Sequence, residues 1–524
     1  MVSKRFCGAI VGSLLATAVA IGHLSPAIAQ TAESRPWFGV TPAPGFQPHV
    51  APVILGTDYG PRPVTVPPGE EGSASLEGEA IYSDLETIVD FSKRSRETQE
   101  VGSGQLWGRI TGLPSGEHTL DWIESRFRQA GVPRVERQWF EQTPGASLWL
   151  PLSWEIRIRA DPAFGMGSRD VILESAMPAG GTELPPEGLT APLVFVGTAR
   201  PAELEYIDVR GKIAVQHITP KGHLFLERGP ARAKAQELVR RGALAVFNIV
   251  DQAGNMRMRD ISNCNGPCFN IGGQDGRFLE EVMDAAADAG VSDRLLATLQ
   301  LEAEDRSGMR ASNVLGIVPG ESDENIIINA HADGWFDGAN DNGDGLAVTI
   351  ALAEHFSKPE NRQARTLVFV ASAGHHTSGL NGPDKLVEMN PELIARNILT
   401  LNLEHVAARQ LNPARTATDG VRDIIADAGE GFLMNGMNQR SPYLEAIIRE
   451  GGLRYGLNFV SAASTYHAGD NPDVERLFQL IQGNPLYHTS GETIETISTP
   501  GLERVARFVA FFVKEVAVAP RSEL

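Results

Sequence analysis

Cysteine and basic residues are both scarce in this sequence. The chain has 3 cysteines among 524 residues, so it is too long and too poor in cysteine to be a disulfide-stapled mini-protein. Lys and Arg total 46 against 65 Asp and Glu, which gives a formal net charge of −19. Because no run of Lys and Arg forms a basic stripe, nucleic acid and anionic lipid are poor partners for this chain.

Long apolar runs are also missing beyond the amino terminus, so no later segment is expected to span a membrane. The remaining composition, 42% hydrophobic and 21% charged, is that of an ordinary globular protein. It predicts a large packed core and excludes a wholly disordered chain. At about 100–200 residues per domain, the length allows three domains or one large domain with an insertion.

Residues 1–29 have the pattern of a secretory signal peptide. Lys4 and Arg5 precede an apolar run at 6–21, and Ala27-Ile28-Ala29 supplies the small residues of a cleavage site. A membrane anchor is the alternative, but the apolar run is short for a span and contains Gly and Ser. We expect cleavage after Ala29 and a periplasmic or secreted protein.

Signal cleavage would leave two cysteines, Cys264 and Cys268, in the segment Asn263-Cys264-Asn265-Gly266-Pro267-Cys268. In an oxidising compartment this spacing favours one small-loop disulfide. A metal site is the alternative, but two thiolates without a second pair fall short of a structural zinc site.

The chain divides into regions of different pattern. Residues 30–75 are rich in proline, which disfavours helices and central strands and predicts an extended arm. Residues 76–190 show helical and strand patterns without a recognisable motif. From residue 301 onward, buried strands alternate with helices, as in an α/β sheet covered on its faces. Thr499 is expected to cap the last helix.

Residues 191–300 form a separate unit in which strand patterns predominate. The segments Val209-Arg210-Gly211-Lys212-Ile213-Ala214 and Arg241-Gly242-Ala243-Leu244-Ala245-Val246 resemble those of the protease-associated domain. That small β-rich module is often inserted in secreted peptidases. An ordinary α/β segment of the same fold is the alternative. We expect no catalytic residue in this unit.

Histidine is concentrated in one part of the chain. Seven of the 12 histidines lie between residues 330 and 489: His331, His355, His375, His376, His405, His467 and His488. Four buried apolar runs, at 326–328, 367–370, 398–401 and 477–481, are predicted strands. Each is followed by imidazole or carboxylate, namely His331, His375-His376, Glu404 and His488. Ligands of open α/β sheets bind outside the carboxyl ends of strands, so these side chains are expected on one rim.

The segment 331–345 carries the most specific pattern. A carboxylate two residues after a metal-binding histidine can accept the other ring N–H and fix the orientation of the ring, and His331 and Asp333 fit this pair. Asp341 lies in a Gly- and Asn-rich turn that opens a predicted helix at 344–356. Its carboxylate can project to the same rim and bridge two ions.

The order of these residues resembles that of the cocatalytic-zinc exopeptidase family, which includes bacterial leucyl aminopeptidases, glutamate carboxypeptidase and the non-enzymatic transferrin receptor. The resemblance covers residues 312–518. It is carried by the following segments: His331-Ala332-Asp333, Gly338-Ala339-Asn340-Asp341-Asn342, Gly374-His375-His376, Asn402-Leu403-Glu404 and Tyr487-His488-Thr489-Ser490-Gly491-Glu492-Thr493.

The resemblance implies a three-layer α/β/α domain with a mixed, largely parallel sheet. Its N-terminal part would be residues 76–190 and its metal-binding catalytic part residues 301–524, separated by the protease-associated insertion at 191–300. It also implies zinc, as one or two ions. Carried over by position, His331, Asp341 and Glu404 would hold one ion, and Asp341, His376 and His488 the other. A peptide or a small amide or ester is the implied substrate.

One departure from the family pattern concerns the chemistry directly. The family has two adjacent Glu residues, a general base and a metal ligand, where this chain has His375-His376. Neutral imidazole is a good zinc ligand, so His376 can replace the second Glu. One carboxylate fewer predicts weaker binding of the second ion or a more acidic bound water.

The general-base position is the more serious change, because nearby metal ions disfavour protonated imidazole and weaken His375 as a base. Three outcomes follow from the sequence. His375 is the base, a carboxylate such as Asp344 or Glu492 replaces it, or the site binds metal without turnover. His405 and His467 are candidates for the same rim or for structural roles.

These residues favour a secreted metal-dependent hydrolase, most simply an exopeptidase that uses a metal-activated water on an amide bond. An amide or ester hydrolase with a non-peptide substrate is the nearest alternative. A non-catalytic metal-binding or recognition protein is the alternative from another class. That class predicts ligand losses at several positions, whereas the substitutions here are confined to residues 375 and 376.

Overall fold

The computed structural model describes residues 54–56, 62–220, 228–415, 422–462, 465 and 471–524. The expected signal peptide at residues 1–29, most of the Pro-rich arm at 30–75 and His467 lie outside the described residues. Within those residues, no helix has the length and apolar character needed to cross a bilayer.

The described strands fall into two large sheets, a small sheet and a strand pair. The first eleven strands in chain order are β1 (Ile54–Gly56), β2 (Gly108–Arg109), β3 (Arg134–Glu141), β4 (Leu148–Ile158), β5 (Val171–Ile172), β6 (Met177–Pro178), β7 (Leu189–Phe195), β8 (Ile213–Ile218), β9 (Ala245–Val250), β10 (Cys268–Ile271) and β11 (Leu296–Arg306). The later strands are β12 (Arg310–Val318), β13 (Ser322–His331), β14 (Gly334–Trp335), β15 (Arg365–Ser372), β16 (Asn397–Glu404), β17 (Arg409–Arg415), β18 (Arg422–Glu430), β19 (Leu433–Met437), β20 (Phe459–Ser461) and β21 (Leu477–Gln482).

The described α-helices connect and cover these strands. They are α1 (Gly78–Glu97), α2 (Pro114–Gln129), α3 (Pro201–Leu204), α4 (Arg228–Arg240), α5 (Gly273–Asp288), α6 (Asp344–Ser357), α7 (Gly382–Met389), α8 (Pro391–Ala395), α9 (Pro442–Tyr455) and α10 (Thr499–Val518).

The first sheet has the strand order β20-β19-β21-β16-β13-β15-β12-β3. Its centre consists of the four predicted strands β21, β16, β13 and β15, which are mutually parallel. Parallel strands covered on both faces are apolar along their whole length, which explains why these strands appear in the sequence as continuous hydrophobic runs. The mixed, largely parallel sheet expected from the sequence is therefore present.

Helices cover both faces of the first sheet. Side chains of a strand alternate between the two faces, so neighbouring residues of β13 enter different cores. Ile326 and Ile328 pack in a core that includes Phe508 of α10. Ile327 packs in the opposite core, which includes Leu386 of α7. The domain thus has the predicted three layers, helix, sheet and helix.

The second sheet has the order β5-β4-β11-β7-β8-β9-β10-β6 and its own hydrophobic core. It begins earlier than the predicted insertion at 191–300, because β4 pairs with β11 along its whole length. Strands β4, β5 and β6 come from the region 76–190 that we assigned to the peptidase-like part. The identification of this sheet as a protease-associated module stays a prediction. A disulfide joins Cys264, which precedes β10, to Cys268, the first residue of β10.

The Pro-rich arm near the amino terminus contacts the last helix, α10. The described part of the arm lies along α10, where Arg504 donates to the carbonyl of Pro63 at 2.9 Å and Arg507 to that of Glu70 at 3.0 Å. The hydroxyl of Ser498 accepts the N–H of Gly501 at 3.1 Å and caps α10. The cap predicted at Thr499 is therefore wrong by one residue.

Candidate metal centre

The carboxyl ends of the four central parallel strands supply most of the candidate ligands. His331 is the last residue of β13 and Glu404 the last residue of β16. His375 and His376 follow β15, and His488 follows β21. Because these strands are neighbours with the same direction, their ends meet at one edge of the sheet, as the sequence predicted.

His331, Asp341 and Glu404 form one group, which we call the first trio. Nε2 of His331 lies 2.8 Å from Oε1 of Glu404 and 3.3 Å from Oδ1 of Asp341. All three side chains are buried. Three nitrogen and oxygen atoms at this spacing can hold one metal ion.

Asp341, His376 and His488 form the second trio. Nε2 of His488 lies 2.8 Å from Oδ2 of Asp341 and 3.2 Å from Nε2 of His376. Nε2 of His376 lies 3.8 Å from the same Asp341 oxygen. The two oxygens of Asp341 thus face different trios, which is the arrangement of a carboxylate that bridges two ions.

This donor set fits two zinc ions. Imidazole nitrogens and carboxylate oxygens are ordinary zinc ligands. Oδ1 of Asp341 is also buried, with ring nitrogens of His405 and His331 at 3.2 and 3.3 Å. A ring that binds a metal through such a nitrogen cannot also donate it to this oxygen. A buried carboxylate oxygen is costly to leave unpaired, so a cation near this atom would satisfy it.

Asp333 orients two of the candidate ligands. Its Oδ1 lies 2.8 Å from Nδ1 of His331, which is the contact predicted from their spacing. Its Oδ2 accepts the backbone N–H of His376 at 3.0 Å and the hydroxyl of Thr111 at 3.0 Å. Gly374 permits this packing, because a Cβ at its φ of +108° would lie 1.8 Å from Oδ1 of Asp333.

The loop that carries Asp341 is held by two buried residues, Arg109, which the sequence analysis did not select, and Glu492, which it considered only as an alternative base. Arg109 donates to the carbonyls of Asp337 at 2.8 Å and Gly338 at 2.9 Å. Oε1 of Glu492 accepts the backbone N–H of Asp341 at 2.6 Å. These contacts fix the backbone that leads to the bridging carboxylate.

Asp344 and Glu492, the two carboxylates considered as alternative bases, both bind backbone N–H groups. Asp344 accepts from Ala407 at 2.8 Å and from Val406 at 3.1 Å. Burial raises the pKa of Asp344 to about 6, and burial together with Asp341 raises the pKa of Glu492 to about 8. Both side chains therefore support the loops of the centre.

Asp260, which no pattern in the sequence singles out, reaches a candidate ligand of the centre from the second sheet. It lies between β9 and β10, and its Oδ2 is 3.0 Å from Nδ1 of His488. The backbone N–H of Arg259 donates to the carbonyl of His488 at 2.9 Å. The second sheet thus contributes a carboxylate that can orient His488, although 228 residues separate the two side chains.

His405 lies inside the centre. Its Nε2 is 3.2 Å from Oδ1 of Asp341 and 3.3 Å from Oε1 of Glu404. The sequence left open whether this histidine joins the rim or is structural, and the structure places it beside the first trio.

The imidazoles and carboxylates of the centre balance each other electrostatically. Burial disfavours the protonated form of His331, but Glu404 and the contact with Asp333 raise its pKa well above the ordinary value. The pKa of His376 is raised against burial by Asp333, and that of His405 is raised to about 10 by Asp341. Burial opposes ionisation of Asp341, yet His405 and His331 hold its pKa well below the usual range.

His375 is the exception among these histidines. Burial, together with the neighbouring His376 and His331, lowers its pKa well below the ordinary value. Its ring centroid is 4.8 Å from that of His331 and 4.3 Å from that of His376. His375 is therefore neutral at physiological pH.

Comparison with known proteins finds a family model that matches part of this chain. Residues 313–513, which contain both trios, match the profile of Peptidase family M28. A curated protein of Arabidopsis thaliana, named "Probable glutamate carboxypeptidase LAMP1", is 30% identical over 100 residues. This match covers 18% of the present chain and 15% of the relative.

Solved structures with the same fold come from bacteria. A zinc aminopeptidase from Bacillus subtilis has a TM-score of 0.55 and 20% identity, with 86% of this chain and 98% of the other covered. A Peptidase M28 precursor from Shewanella amazonensis has a TM-score of 0.59 and 18% identity, with coverages of 84% and 98%. An aminopeptidase from Aneurinibacillus sp. strain AM-1 has a TM-score of 0.51 and 20% identity, with coverages of 85% and 95%.

Replacement of Asp260 is expected to weaken metal binding at the second trio. Loss of the carboxylate partner of a metal-binding histidine typically costs about 10–100-fold in affinity, so Asp260→Ala should weaken zinc binding by this amount. Calorimetric titration of the metal-depleted protein with zinc measures the effect. Asp208→Ala, which removes an exposed carboxylate paired with Arg210, is the matched control. Unchanged affinity in Asp260→Ala would show that Asp260 does not orient His488.

Metal affinity is expected to rise with pH across the neutral range. The pKa values of His331, His376 and His405 are raised, to about 10 for His405, so proton binding to these rings is favoured in the metal-free protein. A metal ion must displace such protons, and raising the pH removes this competition. Titrations in buffers of different ionisation enthalpy should therefore show proton release on zinc binding. A binding enthalpy that is independent of the buffer would contradict this assignment of charge.

Proposed function

We propose that this chain, whose residues 313–513 form a Peptidase family M28 domain, is a zinc-dependent exopeptidase that hydrolyses an amide bond at the end of a peptide. The observation that carries the proposal is the placement of Asp341, whose two oxygens face two separate sets of ligands. Bound to the two trios, zinc would polarise the scissile carbonyl and activate a water. The names of the relatives, aminopeptidases and a glutamate carboxypeptidase, agree with exopeptidase chemistry.

The remaining steps belong to side chains of the protein. Asp333 and Asp260 orient the imidazoles of His331 and His488, so the ligand nitrogens stay directed at the centre. Arg109 and Glu492 hold the backbone that leads to Asp341. A centre with its ligands already fixed loses little ordering entropy when ion and substrate bind.

His375 is our candidate for the general base. It is neutral at physiological pH, and its Nδ1 is buried without a hydrogen-bond partner among the described residues. Asp344 accepts backbone N–H groups through both oxygens and Glu492 accepts them through Oε1, so both carboxylates already support the loops of the centre. A neutral ring nitrogen can accept the proton of the attacking water and return it to the leaving amine. Burial, His376 and His331 lower its pKa, which makes it a weaker base than an ordinary imidazole.

We also propose that the protein is exported. The sequence of residues 1–29 has the charge, apolar run and small residues of a secretory signal, and the Cys264–Cys268 disulfide suits an oxidising compartment. Mass spectrometry of the amino terminus of protein recovered from the periplasm or medium is expected to find Gln30 first. Retention of residues 1–29 in the mature protein would contradict export by cleavage.

Metal analysis followed by turnover assays tests the proposed function. The purified protein is expected to contain zinc and to hydrolyse members of a panel of aminoacyl anilides and dipeptides. A chelator should abolish this hydrolysis and zinc should restore it. Asp341→Asn is expected to lower the metal content of both sites, because the two trios share this side chain.

Other results of these assays favour the alternatives. Hydrolysis of simple esters without hydrolysis of any peptide would indicate a non-peptide substrate. Bound metal without turnover would indicate a recognition protein, and absence of metal would remove the basis of the proposal.

Removal of the imidazole at position 375 is expected to affect the chemical step. General-base catalysis contributes roughly 10²–10⁴-fold, so His375→Ala should lower kcat by at least about 100-fold while the zinc content stays unchanged. His355→Ala is the matched control, since His355 is a buried histidine that contacts Phe356 and Asn361. If His375→Ala keeps the kcat of the wild type, another group accepts the proton.

A further inference from the structure

We infer that His405 is a fourth protein ligand of the ion held by the first trio, so that this ion is closed to substrate and the open coordination position belongs to the second trio. The inference rests on the metal-binding part of the proposed function. It adds a ligand that the family resemblance does not supply.

Two distances from Nε2 of His405 to candidate ligand oxygens equal the ligand–ligand spacing of a tetrahedral zinc site. With metal–ligand bonds of about 2.0–2.1 Å, neighbouring ligand atoms of a regular tetrahedron are about 3.3 Å apart. Nε2 of His405 lies 3.2 Å from Oδ1 of Asp341 and 3.3 Å from Oε1 of Glu404. Nε2 of His331 lies 3.3 Å and 2.8 Å from the same two oxygens. The two rings therefore flank the same pair of carboxylate oxygens.

The backbone at His405 turns its ring into the centre. Side chains alternate along a strand, so the residue after Glu404 would ordinarily point away from the side of Glu404. His405 instead has a φ of +50°, in the left-handed region. Its backbone N–H donates to Oδ1 of Asn342 at 3.2 Å. A non-glycine residue keeps this conformation where its surroundings enforce it, and such residues are concentrated at functional sites.

Neighbouring groups hold the imidazole in this position. The side chain is 3% exposed, and its ring centroid is 5.6 Å from that of Tyr487. The next two backbone N–H groups, of Val406 and Ala407, donate to the buried carboxylate of Asp344. These contacts hold the ring beside the first trio.

Four ligands give the two sites different roles. Zinc sites with four protein ligands are closed, whereas catalytic sites have three protein ligands and an open position. His331, His405, Asp341 and Glu404 make a closed set with two carboxylates. The described residues supply three ligands to the second trio, with Asp341 as its carboxylate. The first ion is therefore the tightly held one, and the second is the one that substrate reaches.

Zinc titration of the full-length, metal-depleted protein tests this inference without reference to turnover. His488→Ala removes a ligand of the second trio, so the first site can be measured alone in this background. Adding His405→Ala is expected to weaken zinc binding there by more than about 100-fold, because loss of an outer partner alone costs about 10–100-fold. His355→Ala in the same background is the matched control.

His405→Gln separates ligation from hydrogen bonding and from misfolding. Glutamine keeps a donor and much of the side-chain volume but is a poor zinc ligand, so the affinity should stay low in this variant. X-ray absorption at one zinc per protein should show two imidazoles in the His488→Ala background and one after His405 is replaced.

Affinity within about threefold of the parent in either His405 variant would overturn the inference. An unchanged imidazole number would do the same. If the ligand assignment holds but no substrate is hydrolysed, the proposed function fails and the inference stands.

Discussion

The Asp341 carboxylate is the constraint on which the rest of the centre depends. One buried side chain presents its two oxygens to two sets of ligands, so every other group must be placed relative to it. The loop that leads to it is accordingly held by two buried side chains, Arg109 at the carbonyl of Asp337 and Glu492 at the backbone N–H of Asp341. A bridging carboxylate that moved would change both ligand sets together.

The ligands at the strand ends could be predicted because they follow a rule of the fold. Parallel strands buried on both faces appear in sequence as apolar runs, and their carboxyl ends meet at one edge. The sequence therefore predicts that His331, Glu404 and His488 lie on one rim, and they do. The spacing of His331 and Asp333 also gave their contact correctly.

Other features depend on contacts that no local pattern reveals. Asp260 contacts His488 because the two large sheets pack together, and no residue spacing in the sequence predicts this contact. His405 enters the centre through a left-handed backbone conformation, whereas strand alternation would direct it elsewhere. The second sheet begins at β4 because this strand pairs with the distant β11, which extends the sheet beyond the unit suggested by the motifs.

The contact of Asp260 with His488 also links metal binding to cohesion between the two sheets. Coupling free energies are reciprocal, so whatever this contact adds to the affinity of the centre for an ion, the ion adds to the association of the sheets. The segment that carries Asp260 also exchanges hydrogen bonds with Ser490 through Arg257. A metal ion at the second trio thus also stabilises the contact between two separately packed cores.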